Sequence, residues 1–412
     1  MAEKGTGSSV MNLIWKVLVL AGVVGSATWL SIAASSKSPP SASATKSLTF
    51  KATPHQPLLT KDEPYHGVAW QIHRSEGCVE EARLILGQIA DLGADAVLIS
   101  NAGYQEHAGS ESFKIDPKVT PSAEQWAEIF KIAHDNGLRV ILMPIILLSH
   151  PRGNEWRGVI NPPSWDDWMI QYREFLLHFA RIAAANHVEV FMVGSELISA
   201  EKNVHVNKWH ELIRDIRKVF PGKLSYSSNW DHYKVVEFWD ELDLVSMTSY
   251  YKLSNESNPS LETLLEAWRP IRRGLLRWQA EIGKPILFTE VGWPSQEGAS
   301  IEPWNYYKNP KPTAAGLEEQ ARCYRAFMET WKDDVAKGKD SPLGGVIWWE
   351  WSNIPGGSED FGYIPKGKPA EATLREWFAT IRQDRMKRSP KPMQVNQKAD
   401  TQPEAAKPAQ GS

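Results

Sequence analysis

Eight short apolar runs recur between residues 61 and 385, and amphipathic stretches lie between most of them. The runs are YHGVAWQI (65–72), ADAVLISN (94–101), LRVILMPII (138–146), VEVFMVGSE (188–196), KLSYSSNW (223–230), DLVSMTSYY (243–251), PILFTEVGW (285–293) and GGVIWWEW (344–351). The intervening stretches, such as 122–137 and 164–186, repeat apolar positions at helical spacing. Strands that alternate with helices predict a parallel sheet. Eight strands with none left over predict an α/β fold, a single (β/α)8 TIM barrel, rather than an open doubly wound sheet.

The segments that flank this body have a different composition. Residues 17–34 form an uncharged, mostly apolar run that is preceded by lysines, and its length nearly spans a hydrocarbon layer of ~30 Å. This pattern predicts that residues 1–34 are a signal peptide or a signal anchor. The protein would then be exported, either attached to the membrane with an extracytoplasmic body or secreted if the signal is cleaved. Residues 35–60 are rich in Ser and Pro and predict a flexible linker, while 386–412 predict a disordered tail.

Composition narrows the possible partners and cofactors. The 412 residues carry a net charge of −3, so no basic field indicates a nucleic-acid partner. The two cysteines, Cys78 and Cys323, lie far apart in the sequence, which favours two buried thiols over a disulfide scaffold or a zinc cluster. The eleven histidines show no metal-binding spacing, and no Gly-rich nucleotide motif follows a strand. We therefore expect neither a metal nor a cofactor.

Two glutamates stand where predicted strands end. Glu196 closes the fourth run in VGSEL, and Glu290 lies near the end of the seventh in FTEVGWPS. Barrel enzymes carry their chemistry at the C-terminal ends of the strands, and an acidic side chain there bears a desolvation cost that a catalytic use would explain. Two carboxylates across a barrel mouth suit cleavage of a glycosidic bond, with one protonated and the other ionised. A further acid, Glu350, is interpreted as a hydrogen-bonded or ion-paired rim residue.

Several stretches resemble glycoside hydrolase family 113 of clan A, which is known for β-mannanase activity. They are GVAWQI (67–72), EWRGVINP (155–162), VGSELIS (193–199), ILFTEVGWPS (286–295), VIWWEWS (346–352) and FGYIPKGKPA (361–370). The resemblance implies a retaining glycoside hydrolase that acts on a β-linked, mannan-like oligo- or polysaccharide. It also implies that Glu196 is the acid/base and Glu290 the nucleophile. Many clan A enzymes carry Asn before the acid/base, whereas Ser195 stands in that place here, so the sugar preference stays open.

The same resemblance, together with position at the rim, predicts the residues that contact substrate. They are Trp70, Arg157, Asn229, Tyr250, Tyr251, Trp293, Trp349 and Trp351. Of the adjacent tyrosines Tyr250 is preferred, because neighbours in a strand face opposite sides and only one would approach Glu290. By the same alternation Trp349 and Trp351 would share one face, and one of them would form the floor beneath the sugar.

Three other functions remain open from the sequence alone. TEVGWPS also resembles family 17 β-1,3-glucanases, so a β-1,3-glucan is an alternative substrate. A transglycosylase would use the same two glutamates and differ only in the group that attacks the intermediate. A non-catalytic glycan-binding barrel would have aromatic subsites too, but it would not need both glutamates.

Overall fold

The predicted strands close into one parallel barrel in the computed structural model, which describes residues 62–388. The strands are β1 (Tyr65–Ile72), β2 (Ala96–Gln105), β3 (Phe113–Lys114), β4 (Arg139–Leu148), β5 (Val190–Ser195), β6 (Lys223–Ser228), β7 (Val245–Thr248), β8 (Ile286–Val291) and β9 (Leu343–Trp348). Eight of them pair in parallel, and β1 joins both β2 and β9, so the sheet closes on itself. The predicted TIM barrel is confirmed.

Seven α-helices surround the barrel within residues 62–388. They are α1 (Cys78–Asp91), α2 (Ala123–Asp135), α3 (Trp165–Ala185), α4 (Val206–Val219), α5 (Leu261–Ile282), α6 (Ala314–Val335) and α7 (Pro369–Arg388). Helix α2 begins with a capping box, in which the Ser122 hydroxyl accepts from the Gln125 backbone N–H and the Gln125 side chain accepts from the Ser122 N–H. This reciprocal pair satisfies N–H groups that lack a partner inside the helix.

Two features depart from the predicted pattern. The expectation of no leftover strand is wrong, because β3 adds two residues antiparallel to the extended end of β2. In addition, no α-helix joins β6 to β7; the connection contains only a 3-10 turn, Trp239–Glu241. Both features lie in connections that carry no sustained period, which is why the apolar pattern did not predict them.

Apolar side chains form two separate layers. A small cluster inside the barrel includes Ala69, Leu98 and Leu287, and a much larger cluster between strands and helices includes Trp70 and Trp293. Successive residues of a strand point to opposite faces, so Ala69 and its neighbour Trp70 belong to different layers. The layer to which a residue belongs therefore decides whether it can reach the C-terminal ends of the strands, which we call the mouth of the barrel.

The flanking predictions fall outside the described residues. The apolar run 17–34, the linker 35–60 and the tail beyond residue 388 are not described. Within residues 62–388 no helix combines the length and the apolar character needed to cross a bilayer. Cys78 and Cys323 are both buried and unbridged.

Candidate active site

Glu196 is held directly after β5 in an unusual backbone conformation. Its φ is 52°, a left-handed value that residues with a Cβ seldom adopt. Its backbone N–H donates to the carbonyl of Ser227 on β6 at 2.8 Å. The β5–β6 pairing also shifts register between Met192 and Ser195. The strand thus ends in a bend that brings the Glu196 side chain, 8% exposed, to the mouth.

Arg157 supplies the positive partner of Glu196. It starts the 3-10 turn Arg157–Val159 after β4, and its Nη2 donates to Glu196 Oε2 at 2.6 Å. Its Nε donates to the Ser195 carbonyl at 3.2 Å. The fork of the guanidinium therefore holds both the end of β5 and the carboxylate that follows it. Arg157 was predicted to lie at the reacting sugar, and the structure places it beside Glu196.

A chain of polar side chains contacts the other oxygen of the Glu196 carboxylate. The hydroxyl of Thr248, at the end of β7, lies 3.4 Å from Glu196 Oε1 and 3.4 Å from Asn229 Oδ1. Asn229 Oδ1 also accepts from the Trp230 backbone N–H at 3.0 Å. Asn229, a predicted substrate residue, thus lies one side chain away from Glu196. Thr248 was not singled out in the sequence, because a threonine in a buried strand carries no distinctive signal.

Glu290 lies within β8 and is also buried, with 5% of its surface exposed. The Tyr250 hydroxyl donates to Glu290 Oε2 at 2.7 Å, as expected for the preferred tyrosine of the adjacent pair. Burial of Tyr250 and the nearby Glu290 charge raise the pKa of that phenol far above its usual range, so it stays a donor. Within the described residues, no hydrogen bond reaches Glu290 Oε1.

The two glutamates interact electrostatically. Burial, followed by the negative charge of Glu196, raises the pKa of Glu290 to about 8, against the opposing effects of Arg157 and Tyr250. Carboxylates that perturb each other this strongly titrate as a pair. The direction is clear in physical terms, since two like charges in a desolvated site cannot both be ionised at low cost. Near neutral pH Glu290 therefore retains its proton, and Arg157 supplies the positive charge that is bonded to Glu196.

Glu350 contributes a third carboxylate at the mouth. It follows β9, and Gln71 at the end of β1 donates to its Oε2 at 2.8 Å, so its interpretation as a hydrogen-bonded rim acid is confirmed. Burial raises the pKa of Glu350 to about 7, and its charge in turn helps to raise the pKa of Glu290. Three acidic groups thus lie at the mouth, and among the described residues one guanidinium, that of Arg157, is ion-paired with them.

One of the two candidate floor tryptophans lies at the mouth. Trp349 is half-buried and packs against the apolar cluster inside the barrel. Trp351 is buried in the layer that faces the helices, where its indole N–H donates to Gln88 of α1 at 2.8 Å. The expectation that the two share a face is wrong. Strand β9 ends at Trp348, and strict alternation does not continue beyond the end of a strand.

Three further predicted substrate residues are directed away from the mouth. Trp70 and Trp293 are almost fully buried in the helix-facing layer, and Trp293 packs edge-on against Tyr324 of α6. Tyr251 packs against Trp268 of α5. These side chains, like that of Trp351, are packing residues, and their assignment to substrate contact is corrected. Each of them lies near a strand end in the sequence, which predicted a position at the rim, but the side chains point toward the surrounding helices.

Glu201 and Tyr226 were not singled out in the sequence, although a signal was present. Glu201 lies five residues after Glu196, and the Tyr226 hydroxyl donates to its Oε1 at 2.6 Å. In KLSYSS the serines alternate with Tyr226. Inside the barrel, Ser225 bonds to Ser246 and Ser227 bonds to Thr289, so Tyr226 between them faces outward. The alternation in the sequence thus predicts the direction of the Tyr226 side chain, but it does not predict the contact of Tyr226 with Glu201.

The described barrel is similar to proteins of a known family. The model of Glycoside Hydrolase Family 113 matches residues 68–360. A β-mannanase of this family from Alicyclobacillus acidocaldarius, solved in complex with ManMIm, is 30% identical; the match covers 77% of this chain and 98% of that one, with a TM-score of 0.66. A complex of a family 113 β-1,4-mannanase is 26% identical over 77% and 99% of the two chains, with a TM-score of 0.65.

More distant structures share the fold alone. A family 5 mannosidase from Rhizomucor miehei in complex with mannosyl-fructose is 11% identical, covers 79% of this chain and 95% of its own, and has a TM-score of 0.51. A search of curated protein sequences finds no match. The family model covers more than half of the chain, including both glutamates. The chain therefore belongs to glycoside hydrolase family 113 and is a glycoside hydrolase of clan A.

Proposed function

We propose that this protein is a retaining β-mannanase that cleaves β-1,4-linked mannan or manno-oligosaccharides, with Glu290 as nucleophile and Glu196 as acid/base. The observation that carries the proposal is the coupled pair of buried carboxylates on β5 and β8, each with its own polar partner. The choice of mannan is supported by the two similar family 113 structures, both of which are β-mannanases.

The first chemical step would form a glycosyl-enzyme ester. Glu290 Oε1, which is not hydrogen bonded within the described residues, attacks the anomeric carbon while the bond to the glycosidic oxygen breaks. Glu196 delivers its proton to that departing oxygen. In the second step Glu196 takes a proton from water, the water oxygen attacks the anomeric carbon, and the ester bond to Glu290 breaks. The proton count returns to its starting value.

The first step requires the proton of the pair on Glu196, whereas the geometry described above favours it on Glu290. We infer that substrate moves it. A sugar hydroxyl that donates to Glu290 would join Tyr250 in stabilising the ionised form, and the glycosidic oxygen would accept from protonated Glu196. Because the site holds one proton in both arrangements, the transfer needs no exchange with solvent.

Around the reacting sugar, the remaining side chains have separate tasks in this proposal. Tyr250 binds one oxygen of Glu290 and leaves the other for attack. Trp349, half-buried beside the barrel interior, would stack on an apolar sugar face. Glu350, held by Gln71, would accept hydrogen bonds from sugar hydroxyls.

The proposal is tested by incubating the full-length protein with β-1,4-mannan, mannopentaose and β-1,3-glucan. We expect shorter manno-oligosaccharides, and proton NMR early in the reaction should show the β-anomer of the new reducing end. Early appearance of the α-anomer would contradict retention. If only β-1,3-glucan is cleaved, that glucan and not mannan is the substrate. Products longer than the substrate would identify a transglycosylase. Absence of cleavage with any of them would favour a glycan-binding barrel.

We further propose that the protein is exported, with its barrel outside the cytoplasm. The support is the apolar run 17–34 of the sequence, whose length suits a signal peptide or anchor. Cell fractionation with protease accessibility tests this. If the barrel is protected from protease in intact spheroplasts, export is contradicted. Sedimentation with the membrane fraction distinguishes an anchored form from a released form.

A further inference from the structure

The backbone of Glu196 adopts a conformation that needs external support. A left-handed φ is unfavourable for a residue with a Cβ, because the Cβ approaches the following carbonyl oxygen too closely, and such residues persist where their surroundings fix them. Two peptide N–H groups flank the Glu196 Cα. Its own donates to the Ser227 carbonyl, and that of Leu197 donates to the Tyr226 hydroxyl, both at 2.8 Å. Together they restrain rotation on both sides of the Glu196 Cα.

The second of these bonds depends on Glu201. A phenol hydroxyl has one hydrogen, and it accepts from Leu197 only with its lone pairs turned that way. The Tyr226 hydrogen is directed to Glu201 Oε1 at 2.6 Å, which fixes the hydroxyl as an acceptor toward Leu197. Glu201 itself is anchored by its backbone N–H, which donates to the Leu197 carbonyl at 3.1 Å. Residues 196–201 thus close into a turn with Tyr226 at its centre.

The cost of burying Glu201 suggests that the arrangement has a use. Glu201 is 2% exposed, and its Oε2 has no hydrogen-bond partner among the described residues. Burial raises the pKa of Glu201 to about 7; Tyr226 and His232 oppose this rise, and the Glu196 charge adds to it. A buried carboxyl without a bonded cation is expensive. A leucine or methionine at this position would fill space at lower cost but could not orient the tyrosine.

We propose that Glu201 and Tyr226 form a positioning pair that holds the Glu196–Leu197 peptide, and thereby aims the Glu196 carboxyl at the glycosidic oxygen. This inference rests on the proposed acid/base role of Glu196. Neither residue touches the sugar. Their action passes through one hydrogen bond to the backbone, and its loss should impair proton delivery more than substrate binding.

Two substrates that differ in their need for an acid catalyst can distinguish a mispositioned Glu196 from a general disruption of the active site. Cleavage of mannopentaose requires protonation of a poor leaving group, whereas 2,4-dinitrophenyl β-mannobioside releases a phenolate that needs none. In Tyr226→Phe we expect kcat for mannopentaose to fall about 10- to 100-fold, the effect of a small misplacement of a catalytic group, with KM little changed. The rate of dinitrophenolate release in the first turnover should fall less than 3-fold.

Variants of Glu201 provide a second arm. Glu201→Gln retains an oxygen that accepts from Tyr226, so its kcat for mannopentaose should stay within about 3-fold of wild type. Glu201→Ala lacks the acceptor and should reproduce the selective loss seen in Tyr226→Phe. If Tyr226→Phe does not fold, the contrast between these two Glu201 variants decides the matter. Equal activity of the Gln and Ala variants would overturn the proposal.

Tyr172→Phe is the matched control. Tyr172 is equally buried, and its hydroxyl donates to the Val193 carbonyl on β5 at 2.9 Å, so the variant loses a comparable bond to the same strand. We expect it to affect both substrates alike; a selective loss there would contradict the assignment to Tyr226.

Glu196→Gln is run in parallel. If it keeps full activity on mannopentaose, the proposed function fails. If it is inactive while Tyr226→Phe and Glu201→Ala are unselective, only the positioning pair fails.

Discussion

The pKa values of buried carboxylates are shifted in opposite directions at the two ends of the barrel. At the lower end, where the parallel strands begin, Asp95 accepts from Arg139 and from Arg385, each at 2.5 Å, and from the His66 backbone N–H. Burial alone would raise the pKa of Asp95, but these partners hold it at about 2. At the mouth, burial and mutual repulsion raise the pKa of Glu290 to about 8 and burial that of Glu350 to about 7.

The difference lies in the number of cations per carboxylate. Two guanidiniums compensate Asp95, whereas within residues 62–388 only Arg157 is ion-paired with the acidic group formed by Glu196, Glu290 and Glu350. A fully compensated charge resists protonation and ties elements together. An under-compensated group exchanges a proton near neutral pH, which acid–base catalysis requires. The lower end is therefore expected to govern stability and the mouth to govern turnover.

The largest effect should follow Glu290→Gln. Loss of the proposed nucleophile should lower kcat on β-1,4-mannan roughly 10⁴-fold or more, as removal of a covalent catalyst does in other hydrolases. The fold should remain, because the amide has the same shape and still accepts from Tyr250. Mannan-degradation assays and circular dichroism measure the two quantities. More than a tenth of wild-type activity in the folded variant would contradict the assignment, and Glu297→Gln, outside the carboxylate group, serves as the control.

Asp95→Asn should reverse the pattern, with lost stability and retained turnover. Breaking a buried ion pair costs about 3–5 kcal/mol, since the guanidiniums of Arg139 and Arg385 each lose the buried carboxylate of Asp95. Chemical denaturation measures this loss, and kcat below the unfolding temperature should stay within about 2-fold. Asp135→Asn, in an exposed pair with Lys131, should cost far less, because solvent screens that pair. Similar stability of the two variants would remove the contrast between the ends.

The strands and the two glutamates could be predicted from the sequence, but the direction of the side chains at the strand ends could not. Buried strands are apolar, so their number and order could be predicted, and the glutamates stood out because each interrupts an apolar run. Trp70 and Trp351 were misassigned because proximity to a strand end does not determine side-chain direction. The Asp95 cluster joins β1, β4 and α7, and no local period reveals contacts between positions so distant in the sequence.

Arg157→Met should produce an intermediate effect and change the pH dependence. Its guanidinium lowers the pKa of Glu290, so its removal should raise the pKa of Glu290 further. The pH–rate profile of kcat/KM should then shift upward, and kcat at the optimum should fall about 10²-fold because the Glu196 side chain loses its fixed partner. Arg152→Met, on an exposed arginine of the same loop, is the control. An unchanged pH profile would show that Arg157 does not set the charge of the pair.

The smallest effect concerns stability against pH at the mouth. A carboxyl with a folded pKa near 8 and an unfolded value near 4.5 binds more protons when folded, so stability is full below about pH 4.5 and falls as pH rises toward 8. Glu290→Gln removes that loss. We expect its Tm to exceed the wild-type value by a few degrees at pH 8 and to match it near pH 5, as measured by calorimetry. At the lower end the sign is opposite: the depressed pKa of Asp95 gives stability above about pH 4 that is lost toward pH 2. If the two Tm curves stay parallel from pH 5 to 8, the acidic group at the mouth is compensated after all, and the contrast with Asp95 disappears.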